Sequence, residues 1–216
     1  MTSELYGVTG WDFDFRGHKF QGDWQAALGV TVRVPHLSWY SMKGSAKRDY
    51  PASIHYQSCW YDKYAFVEDH FARVNTAMTR GVPCVRVGVL HPIESFWLHF
   101  GPNDTNSAVT VQMEKLFADL PQWLLGGQID YDYISEASIP SLFAQSDDAL
   151  FHLGKMQYEA IVVPALETIR STTLDALEKF KKAGGKVLFM GEKPQYVDAL
   201  PSHAQDALFP ASEQIP

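Results

Sequence analysis

Two short segments constrain what this chain can fold into: Ser3-Glu4-Leu5-Tyr6-Gly7 and Val30-Thr31-Val32-Arg33-Val34-Pro35-His36. Each reads as a short buried strand ending in a polar or ring-bearing residue, with a helix-like stretch from about His18 to Leu28 between them. A carboxylate closing one strand and a histidine closing the next are what neighbouring strands of a (β/α) barrel present at one mouth. On that reading the chain is organised around Glu4. A strand that must be buried on both faces rarely opens a domain, so a start at residue three leads us to expect a fragment, with further βα units before it.

The rest of the first part frames those strand ends. Gly7, Gly10 and Gly17 punctuate a loop in which Trp11, Phe13 and Phe15 alternate with Asp12 and Asp14. Phe20 to Leu28 reads as helix, closed by Gly29. The β-branched run from Val30 to Val34 stops at Pro35. From His36 to about Tyr61 runs a long connection rich in rings, including Trp39, Tyr40, Tyr50, His55 and Trp60. Connections of that length are functional or disordered, and the aromatic content argues against disorder. Asp62 to Arg80 is the clearest helix, with Val67, Phe71, Val74 and Met78 on one stripe and Gly81-Val82-Pro83 ending it.

A second organisation begins near residue 84. Cys84 to Leu90, Ile129 to Ile134, Ala160 to Pro164 and Lys186 to Gly191 read as strands. Val109 to Leu125 and Thr172 to Ala183 read as helices, the latter capped by Ser171 and closed by Gly184-Gly185. Ile93 to Ala108 reads as loop, Ser135 to Phe143 as a short turn-helix, and Leu150 to Tyr158 as a hairpin with Gly154-Lys155 at its tip. Apolar strands alternating with amphipathic helices mean a parallel sheet covered on both faces. The expected class is α/β: the last βα units of a (β/α)8 barrel over residues 1–81, then a small open flavodoxin-like sheet over 82–200. Residues 201–216 read as a frayed tail.

Composition excludes several functions. A net charge of −7 over 216 residues, with no run rich in Lys and Arg, argues against a nucleic-acid partner. No apolar run is long enough to span a membrane, and the compartment and oligomeric state stay open. Cys59 and Cys84 form neither a CxxC pair nor a disulfide framework. The second part has no GxGxxG after its first strand, no GxxxxGK[ST] and no nucleophile elbow. Its strand-end loop, His91-Pro92-Ile93-Glu94-Ser95, lacks glycines to bring amides against a phosphate. A non-catalytic role follows for that part, with His91 and Glu94 as the residues that could contradict it.

The aromatic part offers more chemistry. Glu4 stands at a strand end beside Gly7, where a glycosidase carries a carboxylate, and glycoside hydrolysis needs two carboxylates across one bond. A strand-end glutamate is also often merely solvated. Trp11 can stack on a sugar ring or plug a barrel end. His36 can bind a hydroxyl or a backbone carbonyl. Lys47, Arg48 and Asp49 can be a surface ion cluster. Asp12 and Asp14 could bind calcium but lack the further ligands of an EF-hand loop, and Asp130 and Asp132 read as a solvated strand face.

The series Ser3-Glu4-Leu5-Tyr6-Gly7, Gly10-Trp11, Asp23-Trp24, Gly29-Val30, Pro35-His36, Tyr40-Ser41-Met42-Lys43-Gly44, Lys47-Arg48-Asp49-Tyr50-Pro51 and Arg73-Val74-Asn75 resembles the C-terminal part of a glycoside hydrolase barrel. The match is to the family 106 α-L-rhamnosidases and related large bacterial hydrolases. The resemblance spans nearly the whole chain, because such barrels are followed by a flavodoxin-like domain similar to the glutamine-amidotransferase class without its cysteine. It implies a carbohydrate substrate, with Glu4 as base of an inverting reaction and Trp11, His36 and Tyr40 shaping the sugar subsite. Arg48 and Asp49 belong to its most specific run and are further candidate sugar-binding residues. It implies no cofactor beyond a calcium whose ligands no residue here identifies, and it puts the general acid outside this chain. Two rivals are a non-catalytic carbohydrate-binding module and a regulatory α/β domain that takes an anion at a helix N-terminus.

Overall fold

The computed structural model describes residues 1–48, 50–101, 108–210 and 212–215. The chain divides into two compact units, Met1–Pro83 and Cys84–Pro216, beside the Gly81-Val82-Pro83 turn.

The first unit runs β1 (Thr2–Leu5), α1 (Phe15–Ala27), β2 (Val32–Pro35) and α2 (Ala65–Met78). Strands β1 and β2 pair in parallel with Glu4 opposite Val34. This strand–helix–strand–helix order agrees with part of a (β/α) barrel. Helix α1 begins earlier than its apolar pattern suggests because Asp14 caps it, accepting the Gly17 N–H at 3.0 Å. Gly29, at φ 93, closes it in the left-handed conformation expected of that position.

Both strands were expected to be buried on two faces, and they are not. Val32 and Val34 are 51% and 42% exposed, while Arg33 between them turns toward the helices. The strand period of two forces the choice: with Arg33 inward, both valines face out. Arg33 sits 4.2 Å from the centre of the Phe71 ring and donates to Glu68 Oε2 at 2.8 Å. The helices close on each other at Gly22, where a Cβ would lie 2.1 Å from Phe71 Cζ. The α2 stripe narrows accordingly, with Val67 and Phe71 buried but Met78 46% exposed.

The second unit contains β3 (Val87–Leu90), α3 (Ile93–His99), α4 (Ala108–Gly126), β4 (Tyr131–Ile134), α5 (Ile139–Leu142), β5 (Phe143–Ala144), β6 (Phe151–Leu153), β7 (Met156–Tyr158), β8 (Ala160–Val163), β9 (Thr168–Ile169), α6 (Ser171–Lys182), β10 (Lys186–Met190), β11 (Tyr196–Val197), β12 (Leu200–Pro201) and β13 (Glu213–Ile215). Its main sheet is parallel, in the order β4-β3-β8-β10-β13. Alternate residues bury on opposite faces. Leu90, Ile161, Val163, Val187 and Phe189 pack with Leu174, Leu177 and Phe180 of α6, whereas Val89, Val162 and Met190 pack with Leu120 of α4. The β6–β7 hairpin turns at Gly154, φ 61, as its sequence predicts.

Other expectations change in this unit. Ile93–His99 is helical where a loop was expected, and the stretch after Leu200 is not frayed. Residues Glu213–Ile215 pair in parallel with β10, and Leu208 is 3% exposed in the core. A three-residue strand after proline-rich sequence leaves no periodic signal, so only the partner strand reveals it.

Ser171 does not cap α6 as expected. Arg170 takes that position without a side-chain bond of its own. Instead Glu136 Oε2 accepts the Arg170 N–H at 2.8 Å and Asp198 Oδ1 accepts the Ser171 N–H at 3.0 Å. Glu136 is 3% exposed, and burial pushes its carboxyl above the usual 4.5 despite the opposing hydrogen bond from Arg170. A raised folded pKa means that the folded state binds the proton more tightly. This contribution to stability is therefore fully present below the unfolded value and is lost as pH rises through the folded one. Glu136→Gln is expected to flatten that decline, read as urea midpoints measured upward from about pH 4.5. Parallel pH profiles for the two proteins would remove Glu136 as its source.

Candidate active site at the ends of the first two strands

Glu4, Val32 and Val34 share the face of the β1–β2 pair turned away from α1 and α2. His36 extends the ladder, its N–H donating to the Leu5 carbonyl at 2.7 Å. Its Nε2 stands 3.7 Å from Glu4 Oε1, adjacent but beyond a hydrogen bond. The Glu4 side chain is 64% exposed and the His36 side chain 27%. The structure thus brings together the two residues that the sequence places at one mouth.

The backbone leaves both strands under strain. Tyr6, Val8 and Leu37 have φ of 69, 58 and 52, a region where a β-branched residue such as Val8 is an outlier. Such conformations persist only where the surroundings hold them. Tyr6 is buried and donates its hydroxyl to the His18 carbonyl at 3.1 Å, and burial pushes its phenol pKa up. The long connection supplies the other restraints. Val8 N–H donates to the Tyr50 carbonyl at 3.1 Å, Ala52 N–H to the His36 carbonyl at 3.0 Å, and Ser53 Oγ to the Gly10 carbonyl at 3.2 Å. Ala52 packs against Leu5 and Tyr6. Part of that aromatic connection therefore fastens the mouth.

Gly7 lies under His36, and a Cβ there would sit 3.0 Å from His36 Cγ. Gly7→Ala is expected to displace the imidazole, shifting its Cδ2–H and Cε1–H resonances in a ¹H–¹³C spectrum while the Tyr6 resonances stay put. An unmoved His36 spectrum would show that the ring does not depend on this glycine.

Trp11 stacks on Trp39 with centroids 4.4 Å apart and an interplanar angle of 14°. Trp39 is buried and Trp11 is 43% exposed, so one indole backs the other. Sequence reasoning singled out Trp11 but not Trp39, which looked like one ring among several in the connection. Tyr40 is 97% exposed and Arg48 is exposed at the end of a turn, so both stand in solvent. Asp49 lies outside the described residues. Asp14 serves as the α1 cap, and Asp132 accepts the Tyr158 hydroxyl at 3.0 Å. Among the described residues no three His, Cys, Asp or Glu side chains are grouped to hold a metal, and no helix is long and apolar enough to cross a membrane.

In the second unit the α6 N-terminus already receives the Glu136 and Asp198 carboxylates. An anion entering there would find the Arg170 and Ser171 N–H groups already taken, which counts against the anion-binding rival.

No protein-family model matches the sequence, and neither does any curated protein. The fold does have solved counterparts. It is similar to that of a catalytic mutant of Gan42B, a GH42 β-galactosidase from G. stearothermophilus, at 16% identity and a TM-score of 0.56, covering 86% of this chain and 25% of that one. It is likewise similar to the β-galactosidase from Bacillus circulans sp. alkalophilus, at 16% identity and a TM-score of 0.55, covering 90% and 28%. The chain shares their fold over about a quarter of their length. The rhamnosidase likeness gains no support from these neighbours.

Proposed function

We propose that this chain is the part of a glycoside hydrolase that carries one of two catalytic carboxylates, Glu4. The observation that carries the reading is the open Glu4 carboxylate at the C-terminal end of β1, 3.7 Å from His36 and on the face away from the helices. In a closed (β/α)8 barrel that face is the interior and that end the mouth, where such enzymes do their chemistry. The exposed Val32 and Val34 fit the same reading, as residues that further strands would cover. The fold likeness to two β-galactosidases supports the barrel, and the sequence resemblance supports sugar cleavage.

Glu4 then acts as base toward water, or as nucleophile at the anomeric carbon, while an acid from another strand protonates the leaving oxygen. His36 hydrogen-bonds a sugar hydroxyl and Trp11, backed by Trp39, stacks on a ring. Tyr40, Arg48 and Asp49 are further substrate contacts on the rim. The resemblance favours an α-L-rhamnoside, and a β-galactoside is the competing substrate. The second unit serves as a flavodoxin-like scaffold, a reading supported by its main-sheet order of second, first, third, fourth and fifth strand.

The test is hydrolysis of aryl α-L-rhamnosides and aryl β-D-galactosides by the protein carrying this chain, with and without Glu4→Gln. The Trp11–Trp39 stack favours a second reading, sugar binding without cleavage. That reading gains if binding survives Glu4→Gln and neither protein turns over any glycoside.

A further inference from the structure

We propose that the second unit carries a separate saccharide-binding cleft at the carboxyl ends of β3 and β8, with Trp97 as its stacking face and Glu94, Arg170, Thr172 and Asp198 as its hydroxyl-reading groups. In open α/β sheets ligands settle where neighbouring strands send their crossovers to opposite faces. Strands β3 and β8 are such neighbours. The connection from β3 to β4 includes α4 on one face of the sheet, and that from β8 to β10 includes α6 on the other. A cleft of about 460 Å³ opens there, lined by all five of those residues. That volume suits a small ligand.

The groups around it select the ligand class. Arg170 Nε and Nη2 both donate to Glu94 Oε1 at 2.6 Å, which fixes an acceptor and a donor side by side on one wall. Asp198 is held ionised by the N–H and hydroxyl of Ser171, so it presents a further acceptor. The Thr172 hydroxyl both donates and accepts. Alternating donors and acceptors suit the vicinal hydroxyls of a neutral sugar. An anion would face the Glu94 and Asp198 carboxylates, and an apolar ligand would leave them unsolvated. Trp97 is 61% exposed on α3 and lines the same cleft, so its indole is available to a sugar ring.

The walls keep a fixed spacing. Ser95, fully buried one residue after Glu94, accepts the Glu167 and Thr168 N–H groups at 3.0 and 3.2 Å and donates to the Thr168 carbonyl at 3.3 Å. This clip ties α3 to the segment that leads into Arg170. The polar array therefore exists before a ligand arrives, which lowers the ordering cost of binding.

The test is a ¹H–¹⁵N titration of the whole chain with β-1,4-galactotriose, L-rhamnose and cellobiose, and separately with inorganic phosphate. At least one sugar is expected to move the Trp97 indole N–H and the amides of Glu94, Arg170 and Asp198 in a saturable way. Trp97→Ala, at an exposed position, is expected to weaken that binding by about tenfold or more. Trp11→Ala is expected to leave it unchanged. Shifts confined to Met1–Pro83, no saturable shift with any of the three sugars, or phosphate moving the same resonances would each overturn the proposal. The reading of Glu4 fails on other data, the Glu4→Gln kinetics, so the two can fail separately.

Discussion

Glu4→Gln is expected to lower turnover of the cleaved aryl glycoside by about 10²- to 10⁴-fold, the range associated with a positioned acid or base. The substitution keeps the size and shape of the side chain and removes its charge and basicity. It should do little to the fold, because the Glu4 side chain is 64% exposed and the adjacent His36 ring is beyond hydrogen-bond distance. Exposed substitutions of that kind stay within about 0.5 kcal/mol. A fall in kcat with unchanged thermal stability therefore separates a chemical role from a structural one. The assay belongs on the protein that carries this chain with whatever strands accompany it. The 216-residue chain alone is expected to show no turnover, since the proposed mechanism draws its acid from elsewhere. A Glu4→Gln protein that works at the wild-type rate removes Glu4 from the reaction.

Phe71→Ala is expected to destabilise the first unit by about 3–5 kcal/mol, the cost of removing a buried phenylalanine ring. Phe71 is 2% exposed, and both α1 and β2 close on its ring. Gly22 of α1 has no side chain to refill the space, and the Arg33 guanidinium rests on the ring from β2. The truncation thus leaves a cavity between α1 and α2 and strips a mostly buried cation of its aromatic support. Burial would lower the Arg33 pKa, but Glu68 and its neighbours hold it above its ordinary value, so the charge stays. Hydrogen exchange read by mass spectrometry checks this locally. Protection should collapse in Thr2–Met78 and persist in β8 and β10, whose core does not include Phe71. A loss below about 1 kcal/mol would mean that α1 and α2 close over the gap.

Much of this was legible in the sequence, for a physical reason. Glu4 and His36 could be paired on paper because strand ends are marked by glycine and proline, and parallel strands joined by a helix bring their ends together. The apolar runs of β8 and β10 and the stripe on α6 likewise carry their periodicity in the residues. The inward Arg33 was not legible. A charged residue flanked by valines reads as the solvent side of a strand until the Phe71 ring and Glu68 supply its partners. The Trp11–Trp39 stack and the Glu136 and Asp198 caps on α6 also escaped, because each joins residues that are distant in the chain and carry no spacing rule. The strand at Glu213–Ile215 was hidden because three residues hold too little pattern to outweigh the prolines around them.

Val8 has one further consequence. It holds a left-handed backbone that glycine or asparagine would adopt with less strain, and at 74% exposure its isopropyl group contributes little burial in return. A lineage adapting to heat would meet an easy gain at this position, since relieving local strain needs no repacking. The same change would loosen the turn that carries the chain away from Glu4. Heat tolerance and the shape of the mouth therefore pull on one residue in opposite directions.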